Sequence, residues 1–161
     1  MNGFHDAEAQ PPEPAPADWF EPRPEKLIEQ LPAMKARFGE QSVEYAAFLV
    51  QIGDAHMVQG RLSNPQAKAR YEAACKILQA MGEQTPEVAW IHDKLANVKH
   101  SCGDSLGAAE DLEKAVSFWK EHPAANKLAR RIPENHVARR EEDLDRLRKL
   151  NAFLARKPPG T

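Results

Sequence analysis

The chain has 161 residues, enough for one domain with tails or for part of a larger assembly. Its hydrophobic fraction of 42% is ordinary and its mean hydropathy is low, and no apolar run approaches the length that spans a bilayer, so membrane insertion is not expected. Net charge is −2 but unevenly placed: residues 1–122 sum to −7 and residues 123–161 to +5, so the basic end is expected to dock on the acidic body or on an anionic partner.

Asp6, Glu8 and Glu13, with no Lys or Arg before Arg23, argue against a secretory signal or a mitochondrial presequence. Cys75 and Cys102 are too few for a disulfide framework, so a reducing compartment, the cytoplasm, is expected. Residues 1–24 hold Pro11, Pro12, Pro14, Pro16, Pro22 and Pro24, which forbid helix and mark an extended or disordered arm. Trp19 and Phe20 are out of place in such an arm. They are expected either to pack on the body or to anchor in a partner.

From residue 25 the pattern is helical. Leu27, Ile28, Leu31, Met34 and Phe38 are spaced by three and four, and Pro32 should kink this segment or mark a helix start. Ser42 is read as the cap of a helix to about Gln59 that buries Tyr45, Ala46, Leu49, Ile52, Gly53 and His56. Gly60 ends it, because glycine accepts the left-handed cap. Pro65 and Gln66 open a helix to about Met81 that turns Ala67, Tyr71, Ala74, Ile77 and Leu78 inward.

Then the pattern returns. Gly39-Glu40-Gln41-Ser42 reads again as Gly82-Glu83-Gln84-Thr85, an offset of 43 residues that also carries Gly60 onto Gly103. Thr85 and Pro86 are expected to start a helix that buries Val88, Ala89, Leu95, Ala96 and Val98 and ends at Cys102. A helix over about 105–121 is expected to bury Ala108, Leu112, Ala115, Val116, Phe118 and Trp119. Its offset from the first unit is 41, a difference that a loop absorbs at little cost.

After Pro123 a short helix is expected over Ala124 to Arg131, interrupted by Pro133. A longer helix over 134–156 follows, with Leu144, Leu147, Leu150 and Leu154 as a narrow apolar stripe. The stripe is expected to stack on the second unit around Leu112, Phe118 and Trp119 as a cap. Projection of this helix toward another chain is the competing arrangement.

A fixed period of this size marks a stacked helical array. Ile52-Gly53, Gly60, Ala67, Tyr71 and Ala74 in the first unit, and Leu95-Ala96, Gly103, Ala108, Leu112 and Ala115 in the second, resemble the tetratricopeptide-repeat signature. The period exceeds the common one of about 34 residues. It is similar to the kinesin-light-chain type, whose Gly-x-x-x-Pro-x-Val-Ala opening resembles Gly82 to Ala89. Val43 replaces the proline in the first unit, and Gln51 and Lys94 replace the asparagines favoured in that type.

The resemblance implies an all-α, short helical solenoid of two helix–turn–helix repeats with flanking helices. Its parts are an arm over 1–24, repeats over 25–122, and basic capping or docking helices over 123–161. It also implies a concave groove lined by the first helix of each unit. Ala47, Val50, Asp54, Met57 and Val58 would line it in the first unit, and Trp90, Asp93, Asn97, His100 and Ser101 in the second. A mixed lining with an apolar patch suits an extended or helical peptide. Val50, Asp54 and Asp93 do not supply the basic clamp that the chaperone-tail members of the family use for a C-terminal carboxylate.

Trp19, Phe20, Leu144, Leu147, Leu150 and Leu154 are expected as secondary partner contacts, in a larger complex or a homo-oligomer. No metal site is expected from His5, His56, His92, His100, His122 and His136, which lack zinc-ligand spacing, and no cofactor is expected. Cys75 falls on a buried helix face, where it reads as a small inert side chain. No glycine-rich phosphate loop is present, so enzymatic activity is not expected. The basic residues from Lys127 to Lys157 are interleaved with acids and lack an aromatic platform beyond Phe153, which ranks nucleic acid below protein as a partner.

Overall fold

Prolines and glycines set the helix boundaries in the computed structural model, which describes residues 23–82, 85–123 and 135–156. Trp19, Phe20 and the short helix expected before Pro133 lie outside these residues. Seven α-helices are described: α1 Pro24–Glu29, α2 Leu31–Phe38, α3 Val43–Val58, α4 Asn64–Ala80, α5 Pro86–Ser101, α6 Ser105–Glu121 and α7 His136–Arg156. A 3-10 turn, Arg61–Ser63, joins α3 to α4. No strand occurs among the described residues.

Two helices, not one kinked helix, occupy the stretch 25–38. Gln30 separates them, and Pro32 sits in the first turn of α2, where its missing N–H costs nothing. Pro24 is helical and buried, so the body begins one residue inside the expected arm. Ser42 caps α3 as read, its hydroxyl accepting from the Tyr45 amide at 3.1 Å. Thr85 makes no side-chain cap bond, and Pro86 follows it in the first turn of α5.

Asp104 is a cap the sequence reading passed over; its carboxylate accepts from the Gly107 amide at 2.8 Å. The turn before it is a Schellman closure. The Asp104 amide donates to the Lys99 carbonyl at 2.9 Å and the Gly103 amide to the His100 carbonyl at 3.0 Å. Gly103 adopts φ +85°, which a side chain would strain.

Helices α3 and α4 pack as one hairpin, α5 and α6 as the next, and α4 against α5 joins them. Both ends of α5 lie 43 residues beyond those of α3, and both ends of α6 lie 41 beyond those of α4, so the sequence offset reappears as helix bounds. The core forms where the small residues were read. Ala46, Ala67, Ala74, Ala96, Ala108 and Ala115 are all buried, as are Leu49, Tyr71, Leu78, Leu95 and Leu112. Gly53 lies under the Tyr71 ring: a Cβ there would stand 2.5 Å from Tyr71 Cε1. At the equivalent place the second unit has Ala96 and Leu112, a larger small residue facing a smaller large one.

Helix α7, the described part of the basic end, docks on the body. Helix α7 runs beside α6 and antiparallel to it, with Lys120–Glu141 at 2.7 Å, Arg148–Glu113 at 2.7 Å, and Asn151 bonded to Ser105 through both hydroxyl and carbonyl. Leu144 and Leu147, at 6% and 9% exposure, join Ala96, Ala108, Leu112 and Val116. The cap is therefore half of what the stripe suggested. Leu150 and Leu154 remain 39% and 50% exposed, and Phe153 is 64% exposed. The reason is length. Asn151 already sits against the first residue of α6, so Phe153 and Leu154 in the last turn of α7 outrun the surface it packs on, while Leu150 borders a gap beside His100.

Candidate functional site

The expected concave lining divides into four groups. Ala47, Val50 and Asp54 of α3 and Trp90 of α5 border one cleft of about 460 Å³. Met34 and Phe48 complete its apolar wall, and Glu44 and Glu87 stand at its rim. Among the described residues, no Lys or Arg lines it. This cleft spans the first helices of the two hairpins, so side chains 43 residues apart, Ala47 and Trp90, face one space.

A polar node closes one end of the cleft. The Tyr71 hydroxyl donates to Asp54 Oδ1 at 2.7 Å, and Lys94 Nζ reaches the same oxygen at 2.6 Å. Lys94 also lies 5.8 Å from the Tyr71 ring centroid and 5.7 Å from that of Trp90. Burial, followed by the Asp54 carboxylate, holds the Tyr71 phenol well above its ordinary range. The phenol thus remains a donor, and the node ties α4 and α5 to α3.

Met57 belongs to the core around Leu49 and Tyr71, while Val58 and Ser101 are exposed at helix ends away from the cleft. Asp93 is buried, because α7 lies over it. Arg140 Nε bonds Asp93 Oδ1 at 2.6 Å, and His136 Nε2 lies 3.3 Å from Oδ2. Asn97 accepts from Arg140 at 2.9 Å. Asn97 and His100 line a smaller cleft of about 310 Å³ beside Leu147 and Leu150. In the second unit the end of the expected groove is therefore occupied by the chain's own helix. Trp90 lies at the boundary, 5.7 Å from the His136 ring and 6.5 Å from Trp119.

A buried row was not anticipated. His92 Nδ1 donates to Asp111 Oδ1 at 2.8 Å, His92 Nε2 lies 3.5 Å from Cys75 Sγ, and Asp111 Oδ2 pairs with Lys99 at 2.6 Å. Burial by itself would lower the His92 pKa, but Asp111 and Cys75 outweigh it and raise it to about 9. Burial would likewise raise Asp111, yet His92 and Lys99 hold it below the usual carboxylate range. The row has the order of nucleophile, base and orienting carboxylate. All three side chains are buried, however, and neither cleft includes any of them. The geometry instead links α4, α5 and α6 through one charged network. A sequence signal existed. His92 lies four and three residues from the core positions Val88 and Leu95, and Asp111 lies three and four from Ala108 and Ala115, so both polar side chains fall in core register.

Among the described residues no group of three or more His, Cys, Asp or Glu is placed to hold a metal ion, and no helix is long and apolar enough to cross a membrane. No protein-family model matches the chain, and no curated protein matches it.

Proposed function

We propose that this chain is a non-enzymatic, cytoplasmic adaptor of the tetratricopeptide-repeat type that binds a peptide or helix in the cleft between α3 and α5. The observation that carries the reading is the cleft itself. It joins Ala47 and Val50 of one hairpin to Trp90 of the next, with an apolar wall and an acidic rim. An apolar concavity with a few fixed polar groups is the usual form of a binding site. Asp54, held by Tyr71 and Lys94, supplies such a group, oriented before any ligand arrives. The partner would present one or two large apolar side chains flanked by Lys or Arg.

The test is selection of helical peptides on the full chain, followed by titration read by isothermal calorimetry. Ala47→Arg fills the cleft from an exposed position on a helix, where arginine is well tolerated. Selected peptides should bind the parent and lose about tenfold or more in affinity on the variant. Equal binding to both would remove the cleft from consideration.

A second reading, attachment to a larger complex through α7, is favoured by the exposed Leu150, Phe153 and Leu154. Nucleic acid fits less well, because Arg140, Arg146, Arg148 and Lys149 are already paired with carboxylates.

A further inference from the structure

We infer that the last turns of α7 of one copy dock in the α3–α5 cleft of a second copy, head to tail. This rests on the groove reading above and names its occupant.

Charge selects the occupant. Among the described residues the cleft is lined by the acids Glu44 and Glu87, with Asp54 already paired to Lys94, and by no Lys or Arg. The chain has two ends that carry large apolar residues. The arm before Arg23 holds Trp19 and Phe20 but also five acids and no Lys or Arg, so the cleft repels it. The other end carries Leu150, Phe153 and Leu154, continues through Arg156 and Lys157, and has no acid after Asp145. It offers the apolar side chains with basic flanks that the cleft calls for. Leu150, Phe153 and Leu154 follow i, i+3, i+4 spacing, the pattern by which a helix lays one face into a groove. They are also among the described large apolar side chains left exposed.

Geometry makes the contact intermolecular. Helix α7 is parallel to α5: His136 and Arg140 lie at Asp93, Arg140 reaches Asn97, and Leu147 lies at His100. Its last turn therefore passes Ser101 and the α5–α6 turn. The cleft opens at the other end of α5, around Pro86 and Trp90. Trp90 and Ser101 are separated by about 16 Å of helix at 1.5 Å per residue. Arg140, Leu144 and Leu147 fix α7 to its own body, so its end cannot turn back to its own cleft. The docking face and the docked face differ, so the contact is heterologous and propagates as a ring or an open chain of copies.

Sedimentation velocity of the full chain across a concentration series tests this. The parent should gain mass with concentration, and less so at high salt, since opposed charges at the rim are screened. Ala47→Arg should weaken association by about tenfold or more, and so should Phe153→Asp with Leu154→Asp. All three positions are exposed, and unchanged circular dichroism melts verify the fold. An equimolar mixture of the two variants should form a dimer that grows no further, because one intact cleft meets one intact tail. A parent that stays monomeric, an association that Ala47→Arg leaves unchanged, or a mixture without dimers would each overturn the inference. If selected peptides still bind the cleft and Ala47→Arg abolishes that binding, the groove reading survives while the self-docking falls.

Discussion

Replacing Asp111 by Asn keeps the side chain's shape and removes its charge. Two buried or half-buried cations lose their counterion: His92, bonded at 2.8 Å, and Lys99, paired at 2.6 Å. Breaking one side of a buried pair typically costs about 3–5 kcal/mol. Linkage gives a separate figure. The His92 pKa rises from 6.5 to about 9, and at about 1.4 kcal/mol per unit this amounts to about 3 kcal/mol. The sign follows from the direction of the shift. The folded pKa lies above the unfolded one, so the stabilisation is fully present below the unfolded value of 6.5 and is lost as pH rises through about 9. Asp111 works the other way; its depressed pKa gives stability that is lost in acid as pH falls through its folded value. Urea unfolding followed by circular dichroism at about pH 6 and about pH 9.5 reads the first window. The parent should be about 3 kcal/mol less stable at the higher pH, and Asp111→Asn should show little or none of that fall. A fall of equal size in Asp111→Asn would refute the assignment of the charge to this pair.

Gly53→Ala should cost about 1–3 kcal/mol in urea unfolding, because its Cβ would meet the Tyr71 ring at 2.5 Å. In a Tyr71→Leu background, which copies the Ala96–Leu112 arrangement, the added cost should shrink, and an unchanged cost would count against the size-matching argument. Ala108→Leu, at a fully buried position between paired helices, should lower stability by about 1–3 kcal/mol in the same assay. Leu144→Asp with Leu147→Asp should lower the melting temperature sharply, with a loss of about 3 kcal/mol or more, because both leucines pack on Ala96 and Leu112. Leu154→Asp, on the exposed last turn, should change stability by less than about 0.5 kcal/mol.

Local chemistry alone determined most of the helical framework. Apolar spacing of three and four fixes the buried face of a helix whatever lies opposite, so Ala46, Leu49 and Ile52 in α3, and Ala108, Leu112 and Ala115 in α6, were legible and are buried. Ser42, Pro65, Pro86, Gly60 and Gly103 act within one turn of their own positions, so boundaries were legible to within a residue or two. The offset of 43 was likewise a property of the chain alone.

What stands opposite each face was decided only by tertiary structure. The Leu144–Leu154 stripe is uniform in sequence, yet the first residue of α6 already lies against Asn151, so Leu144 and Leu147 are covered and Leu154 is not. Asp93 reads as a groove residue until Arg140, 47 positions away, lies over it. Cys75, His92 and Asp111 are three unrelated polar residues in sequence, and they form one row because α4, α5 and α6 pack side by side. The cleft between Ala47 and Trp90 is a gap between two helices, set by how far apart Tyr71, Asp54 and Lys94 hold them. Helix formation depends on neighbours within four residues, whereas coverage and pairing depend on helix lengths and crossing positions, which no window of local spacing contains.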